Sequence, residues 1–156
     1  MVVIMKVPVK LRNDVSGKTL DAIAAAVEGA EATTSGEIVV HMVHRLLPFE
    51  RPRRRAYRTF LALGVHQTRK RNGVLLFLVM KNRLFEIVAD DGAHEKVGAA
   101  AWEEIARRIT DAIEREGFEV GVCRGVALLG EVLAKHFPRQ EGDVDELPDR
   151  PRVEAG

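Results

Sequence analysis

Cysteine is almost missing from this chain: Cys123 stands alone among 156 residues. No internal disulfide can form, and an oxidising compartment is not implied. Long apolar runs are missing too, since none approaches the roughly 20 residues that a bilayer-spanning helix needs. The opening MVVIMKVPVKLRND interrupts its apolar patches with Lys6, Pro8 and Lys10 and has no small-residue cleavage site, so it does not read as a signal peptide. The expectation from these absences is a soluble, cytoplasmic protein. A dominant charge is lacking as well: 24 Lys and Arg against 23 Asp and Glu leave +1, which excludes a global field drawing in nucleic acid.

What is present is the composition of a globular domain, with 46% apolar and 30% charged residues. The length suits one domain, read as a core over residues 14–138, an N-terminal arm or edge strand over 1–13, and an acidic, proline-punctuated tail over 139–156. Hydrophobic periodicity orders the core. Leu20, Ile23, Ala24 and Val27 recur at helical spacing behind Ser16, a good N-cap residue. EIVVHMV, from Glu37, is apolar on both faces, as a strand covered on each side must be. Arg53–Leu63 reads as a helix with Ala56, Tyr57, Phe60 and Leu63 inward and its arginines outward. GVLLFLVM and RLFEIVA, joined at Lys81-Asn82, read as an antiparallel hairpin. Two helices follow, over about Ala99–Arg115 and Val120–His136, the second ended by Pro138. The fold class implied is α/β, a sandwich with helices on both faces of a small mixed sheet of three to four strands.

Five stretches together resemble a known family: TSGEIVVH at Thr34–His41, RNGVLLFLVMKNRLFEIVADDG at Arg71–Gly92, the Trp102 helix, HFP at His136–Pro138 and ELPD at Glu146–Asp149. In this order they are similar to the TPM domain, in its short, soluble bacterial form, over about Asp14–Asp149. The resemblance implies the same sandwich, a phosphatase label, divalent-ion binding in some members and accessory roles at membranes in others. Glu37 matches the acid that opens the family's first strand, Asp90 the acid after the third, and Gly92 the glycine of the next turn. Asp91 falls at a variable position. Arg71 stands where long-form members often carry an acid, a departure that counts against transferring their metal site.

The residues themselves offer three chemistries. At the Asp90-Asp91-Gly92 turn, with Gly92 supplying a positive φ, Asp90 and Asp91 can converge with Glu37 as oxygen ligands for Ca²⁺ or Mg²⁺. The competing reading makes Asp91 the cap of a short helix and leaves Asp90 solvated. A metal-assisted phosphatase on phosphate esters is the enzymatic alternative, although no phosphate-cradling glycine loop, no C-x₅-R motif and no zinc-ligand pair occurs. Cys123, His41 and His136 read as structural. Second, Arg54, Arg55 and Arg58, with Arg51, form a stripe able to bind phosphates of nucleic acid or anionic lipid; Tyr57 and Phe60 read as core there, so base stacking lacks support. Third, the sheet edge or the tail is a candidate contact for a protein partner. The reading that joins these is an accessory or interaction module with a cation at the end of the third strand.

Overall fold

A computed structural model describes residues 2–6, 15–144, 146–149 and 151–154. Its centre is a five-stranded mixed sheet in the order β1–β4–β3–β2–β5, formed by β1 (Val2–Lys6), β2 (Glu37–Val43), β3 (Gly73–Val79), β4 (Leu84–Ala89) and β5 (Arg152–Glu154). β2 and β3 run parallel with Glu37 opposite Gly73, β3 and β4 form the antiparallel hairpin, and β1 pairs with β4. The sheet therefore has five strands and not three or four, because the arm and the tail each add an edge strand. The tail strand β5 runs parallel to β2, with His41 opposite Arg152. Residues 1 and 7–13 of the expected N-terminal arm lie outside the described residues.

The two faces of the sheet are covered unequally. Alternation along each strand sends Ile38, Val40, Met42, Val74, Leu76 and Leu78 to one side. There they meet α1 (Gly17–Glu31), α3 (Asp91–Val97), α4 (Ala99–Glu116) and α5 (Phe118–His136). Trp102, Ile105, Ile109 and Ile113 form the buried stripe of α4, and Gly121 and Gly125 let α5 lie close against Ile113 and Ile109. The other side holds a smaller core of Val39, Leu75, Phe77, Val79 and Val88 beneath α2 (Pro52–Ala62), whose Ala56 and Phe60 point inward. Tyr57 does not join them. It is half exposed and stacks on Phe60 with ring centroids 6.0 Å apart, while Thr59 takes the buried place.

Local chemistry accounts for the boundaries. The Ser16 hydroxyl accepts the Thr19 amide at 3.2 Å and opens α1. α2 starts with Pro52, whose missing amide costs a first turn nothing. Gly64, at φ 70, turns the chain after α2 into a short 3₁₀ turn over Val65–Gln67. Among the described residues no helix is long and apolar enough to cross a membrane.

Candidate functional site

The parallel pair divides the molecule into two ends. Where β2 and β3 begin and β4 finishes, the chain gathers Glu31, Glu37, Asn72, Arg71 and Asp90. Where β2 and β3 finish, it gathers the loop of residues 44–51 and the first turns of α2.

At the first end, Asp90 is 3% exposed. Arg71 donates to it from two nitrogens, Nε to Oδ2 at 2.6 Å and Nη2 to Oδ1 at 2.8 Å, the paired geometry that suits a carboxylate. Asp90 Oδ1 also accepts the Asp91 amide at 2.8 Å, and α3 starts there. The roles expected of the two acids are thus exchanged: Asp90 is the buried cap, and Asp91 is the solvated one. Asp91 reaches the same guanidinium, with Oδ2 3.9 Å from Arg71 Nη2. The two acids do converge, but on an arginine. Gly92 is needed for a reason other than a positive φ. A Cβ there would lie 2.5 Å from the Lys70 carbonyl and 2.6 Å from that of Arg71, so only glycine allows α3 to pack against this turn.

Glu37 does not join Asp90; β3 lies between their strands. Its Oε1 accepts the Glu146 amide of the tail at 2.5 Å. The Glu31 carboxyl, at the end of α1, faces those of Glu37 and Asp149 at hydrogen-bonding range. Burial, followed by these two neighbours, pushes the Glu31 carboxyl up to about 11, so it carries a proton and can donate to its acidic neighbours. Its Oε2 accepts the Ile38 amide at 2.9 Å. Further tail contacts close this end: the Arg139 amide donates to the Thr33 carbonyl at 3.1 Å, and the Thr34 hydroxyl to the Phe137 carbonyl at 2.5 Å. Asn72 Nδ2 donates to the Ser35 carbonyl at 3.3 Å. Among the described residues no three His, Cys, Asp or Glu side chains form a set able to hold a metal ion. The set Asp90, Asp91 and Glu37 is therefore not assembled as ligands.

The second end is open and cationic. Phe49 is completely exposed, at φ 66, on a loop whose Leu47 is also 58% exposed. Glu50 fixes this loop from beneath. Its Oε2 accepts the Leu47 amide at 3.0 Å, and its Oε1 takes Arg55 at 3.4 Å and Arg58 at 2.5 Å. Burial pushes the Glu50 carboxyl up, but the amide and the two guanidiniums outweigh it and hold it below the usual range. Of the three arginines expected to bind anions, two are thus engaged. Arg58 is held by Glu50, while Arg55 turns inward to Glu50 and to Glu154, which also meets His41 Nε2 at 3.2 Å. Arg54 is exposed and makes no ion pair among the described residues, and the same holds for Arg45, Arg51 and Lys81 around the loop.

Against known proteins, the family model of the TPM domain, labelled TPM phosphatase, matches residues 13–132. The chain belongs to the TPM domain family. Among solved structures it is similar to that of the BA42 protein from the psychrophilic bacterium Bizionia argentinensis, determined by NMR. The two share 30% identity and a TM-score of 0.83, over 90% of this chain and 95% of that one. No curated protein matches. As a TPM domain, this chain has Arg71 where the long-form pattern has an acid, and the structure gives that residue its role: it is the counter-charge of Asp90.

Three residues of interest were not singled out in the sequence. Glu31 looks like one more acid in a helix. Glu86 was visible in principle, as the lone charge in LFEIVA. It is fully buried opposite Phe77, and burial pushes it up to about 7 against the opposing pull of Arg53. Phe49 carries no signal, since a loop phenylalanine is as often tucked in as exposed.

Proposed function

We propose that this TPM domain is a binding module and not a catalyst, and that it meets its ligand with the loop of residues 44–51 and the first half of α2. One observation carries this reading. The acids at the ADDG end already hold protein partners, whereas Arg45, Arg51, Arg54 and Lys81 stand exposed around apolar Leu47 and Phe49. Hydrolysis of a phosphate ester requires a nucleophile or a metal ion beside phosphate-binding donors. Asp90 and Glu37 are committed to Arg71 and the tail, and neither is placed for that work. An anionic ligand matches the open end by charge and by access.

The test is retention on immobilised heparin. Wild type should elute at distinctly higher salt than a variant with Arg51→Ala and Arg54→Ala, and the difference should shrink as salt rises. A variant with Arg69→Ala and Lys70→Ala, at the opposite end, should elute with wild type. Equal elution of all three proteins would sink the assignment of the surface.

A divalent cation at the end of β4 is the second reading. It is supported by the convergence of Asp90 and Asp91 on a single positive group, Arg71. For a cation to bind there, Arg71 must first leave.

A further inference from the structure

The shape of the open end narrows the kind of anion that it fits. Phe49 protrudes fully exposed beside a Leu47 that is 58% exposed, and half-exposed Tyr57 stands on the adjoining turn of α2. A flat or rigid partner would need a matching pocket for such a prow. A deformable apolar phase accepts it without one. The cations are placed to suit the same phase. Arg51 and Arg54 flank Phe49 on the α2 side, and Arg45 and Lys81 on the side of the β3–β4 turn. Long basic side chains around an apolar tip can keep their charged heads at phosphate level while the tip lies deeper. The single acid within this ring, Glu50, is turned under the loop and neutralised by Arg55 and Arg58, so it does not repel an anionic surface. The same bonds hold the loop in its exposed form, and little ordering remains to be done on contact.

We propose that the loop of residues 44–51 is a peripheral membrane anchor, which inserts Phe49 and Leu47 into the headgroup region of an anionic bilayer while the surrounding Arg and Lys side chains engage lipid phosphates. This rests on the binding-module reading above and names its ligand. The attraction requires anionic lipid, because each basic side chain gains from the negative surface potential, and it weakens with salt. The apolar tip adds an increment that charge alone does not give.

Co-sedimentation with vesicles tests it, using phosphatidylcholine alone and phosphatidylcholine with about 30% phosphatidylglycerol. Wild type should partition onto the anionic vesicles at least tenfold better than onto neutral ones. Leu47→Ser with Phe49→Ser should lower partitioning about tenfold and heparin retention far less, whereas Arg51→Glu with Arg54→Glu should abolish both. In Phe49→Trp, emission excited at the new indole should shift to the blue on anionic vesicles; the native Trp102 is fully buried and supplies a constant background. Equal partitioning onto both vesicle types, or wild-type partitioning by the Leu47 and Phe49 variant, would overturn the anchor. Binding without a blue shift would reduce the contact to charge adsorption and overturn insertion. Heparin retention that persists without vesicle binding would overturn the membrane inference alone, while loss of the heparin difference would remove the binding-module reading beneath it.

Discussion

At the end of the sheet where β2 and β3 begin, three acids are buried and answered by protein: Asp90 by Arg71, Glu37 by the Glu146 amide, Glu31 by its acidic neighbours. At the end where the same two strands finish, cations crowd the surface, and four of them have no ion-pair partner among the described residues. The acid end spends its charges on folding; the basic end keeps them for solvent. Charged residues in a sequence thus divide by the company they find, and the two ends should respond oppositely to substitution.

Asp90→Ala should give the largest effect. It removes a buried carboxylate with a paired guanidinium contact and the cap of α3, for a loss of about 3 kcal/mol. In a domain of this size that lowers Tm by roughly 6–12 °C. Thermal unfolding of the variant beside wild type checks this. A drop under about 2 °C would mean that the Arg71 contact stabilises little, and the contrast between the ends would lose its main support.

Next in size is the pH response of the acid end. The folded-state value for Glu31 is about 11, above the ordinary 4.5. Stability from its protonated form is therefore fully present below about 4.5 and is lost as pH rises toward 11, by up to about 1.4 kcal/mol per pH unit. Glu86 adds a smaller loss of the same sign between 4.5 and about 7. Glu31→Gln, which keeps the shape and a donor, should be more stable than wild type at pH 8 by about 1–3 kcal/mol and should flatten the alkaline slope. Denaturant melts at pH 5, 7 and 9 decide it; parallel curves for the two proteins would show that Glu31 is ionised in the fold.

How much of this was legible beforehand follows from the range of each interaction. Periodicity is local, and it placed α1, α4 and α5 and the β3–β4 hairpin with small errors. The two-sided apolar pattern of β2 announced a covered strand, and the five family stretches gave the sandwich. The edge strands were less legible. β5 is three residues long, and its pairing with β2 joins positions more than a hundred apart. The site was harder for the same reason. That Asp90 belongs to Arg71, 19 residues away, and Glu37 to Glu146, 109 residues away, is written in no local pattern. Even for the adjacent Asp90 and Asp91 the capping reading of the sequence names the wrong one, because which of two neighbouring acids becomes the cap depends on the direction in which the strand enters the helix. Gly92 was recognised as necessary, but through its φ and not through the carbonyls of Lys70 and Arg71 that crowd it.

A substitution at Arg71 can turn the acid end toward ions. Removing the guanidinium and adding a carboxylate, in Arg71→Asp, restores the long-form family pattern and leaves three acids around one place. With Ca²⁺ at ten times its dissociation constant, that variant should gain about 1.4 kcal/mol, or roughly 3–5 °C in Tm. Metal-stripped wild type, measured beside it with Ca²⁺ and with Mg²⁺, should move by less than about 1 °C, because the arginine already occupies the counter-charge position. A shift of several degrees in wild type that disappears in Asp91→Ala would instead establish a cation at ADDG and reopen hydrolysis as a function.

The smallest effect on folding is expected at the basic end. Arg51→Ala with Arg54→Ala should change stability by no more than about 0.5 kcal/mol, since neither side chain has an ion-pair partner to lose among the described residues. Phe49→Ser belongs with them, because a ring that is already bare gives up no packing. Glu50→Ala is the informative contrast. It lies in the same surface, yet it should cost about 1–2 kcal/mol by releasing the Leu47 amide, Arg55 and Arg58 together. Its heparin retention should stay at or above that of wild type, because an acid has been removed from a basic ring. Stability lost at Glu50 and untouched at Arg51, Arg54 and Phe49 would separate the group that holds the loop from the groups that the loop presents. If the exposed three also proved costly to remove, the basic end would be doing structural work like the acid end, and the case for a binding surface there would fall.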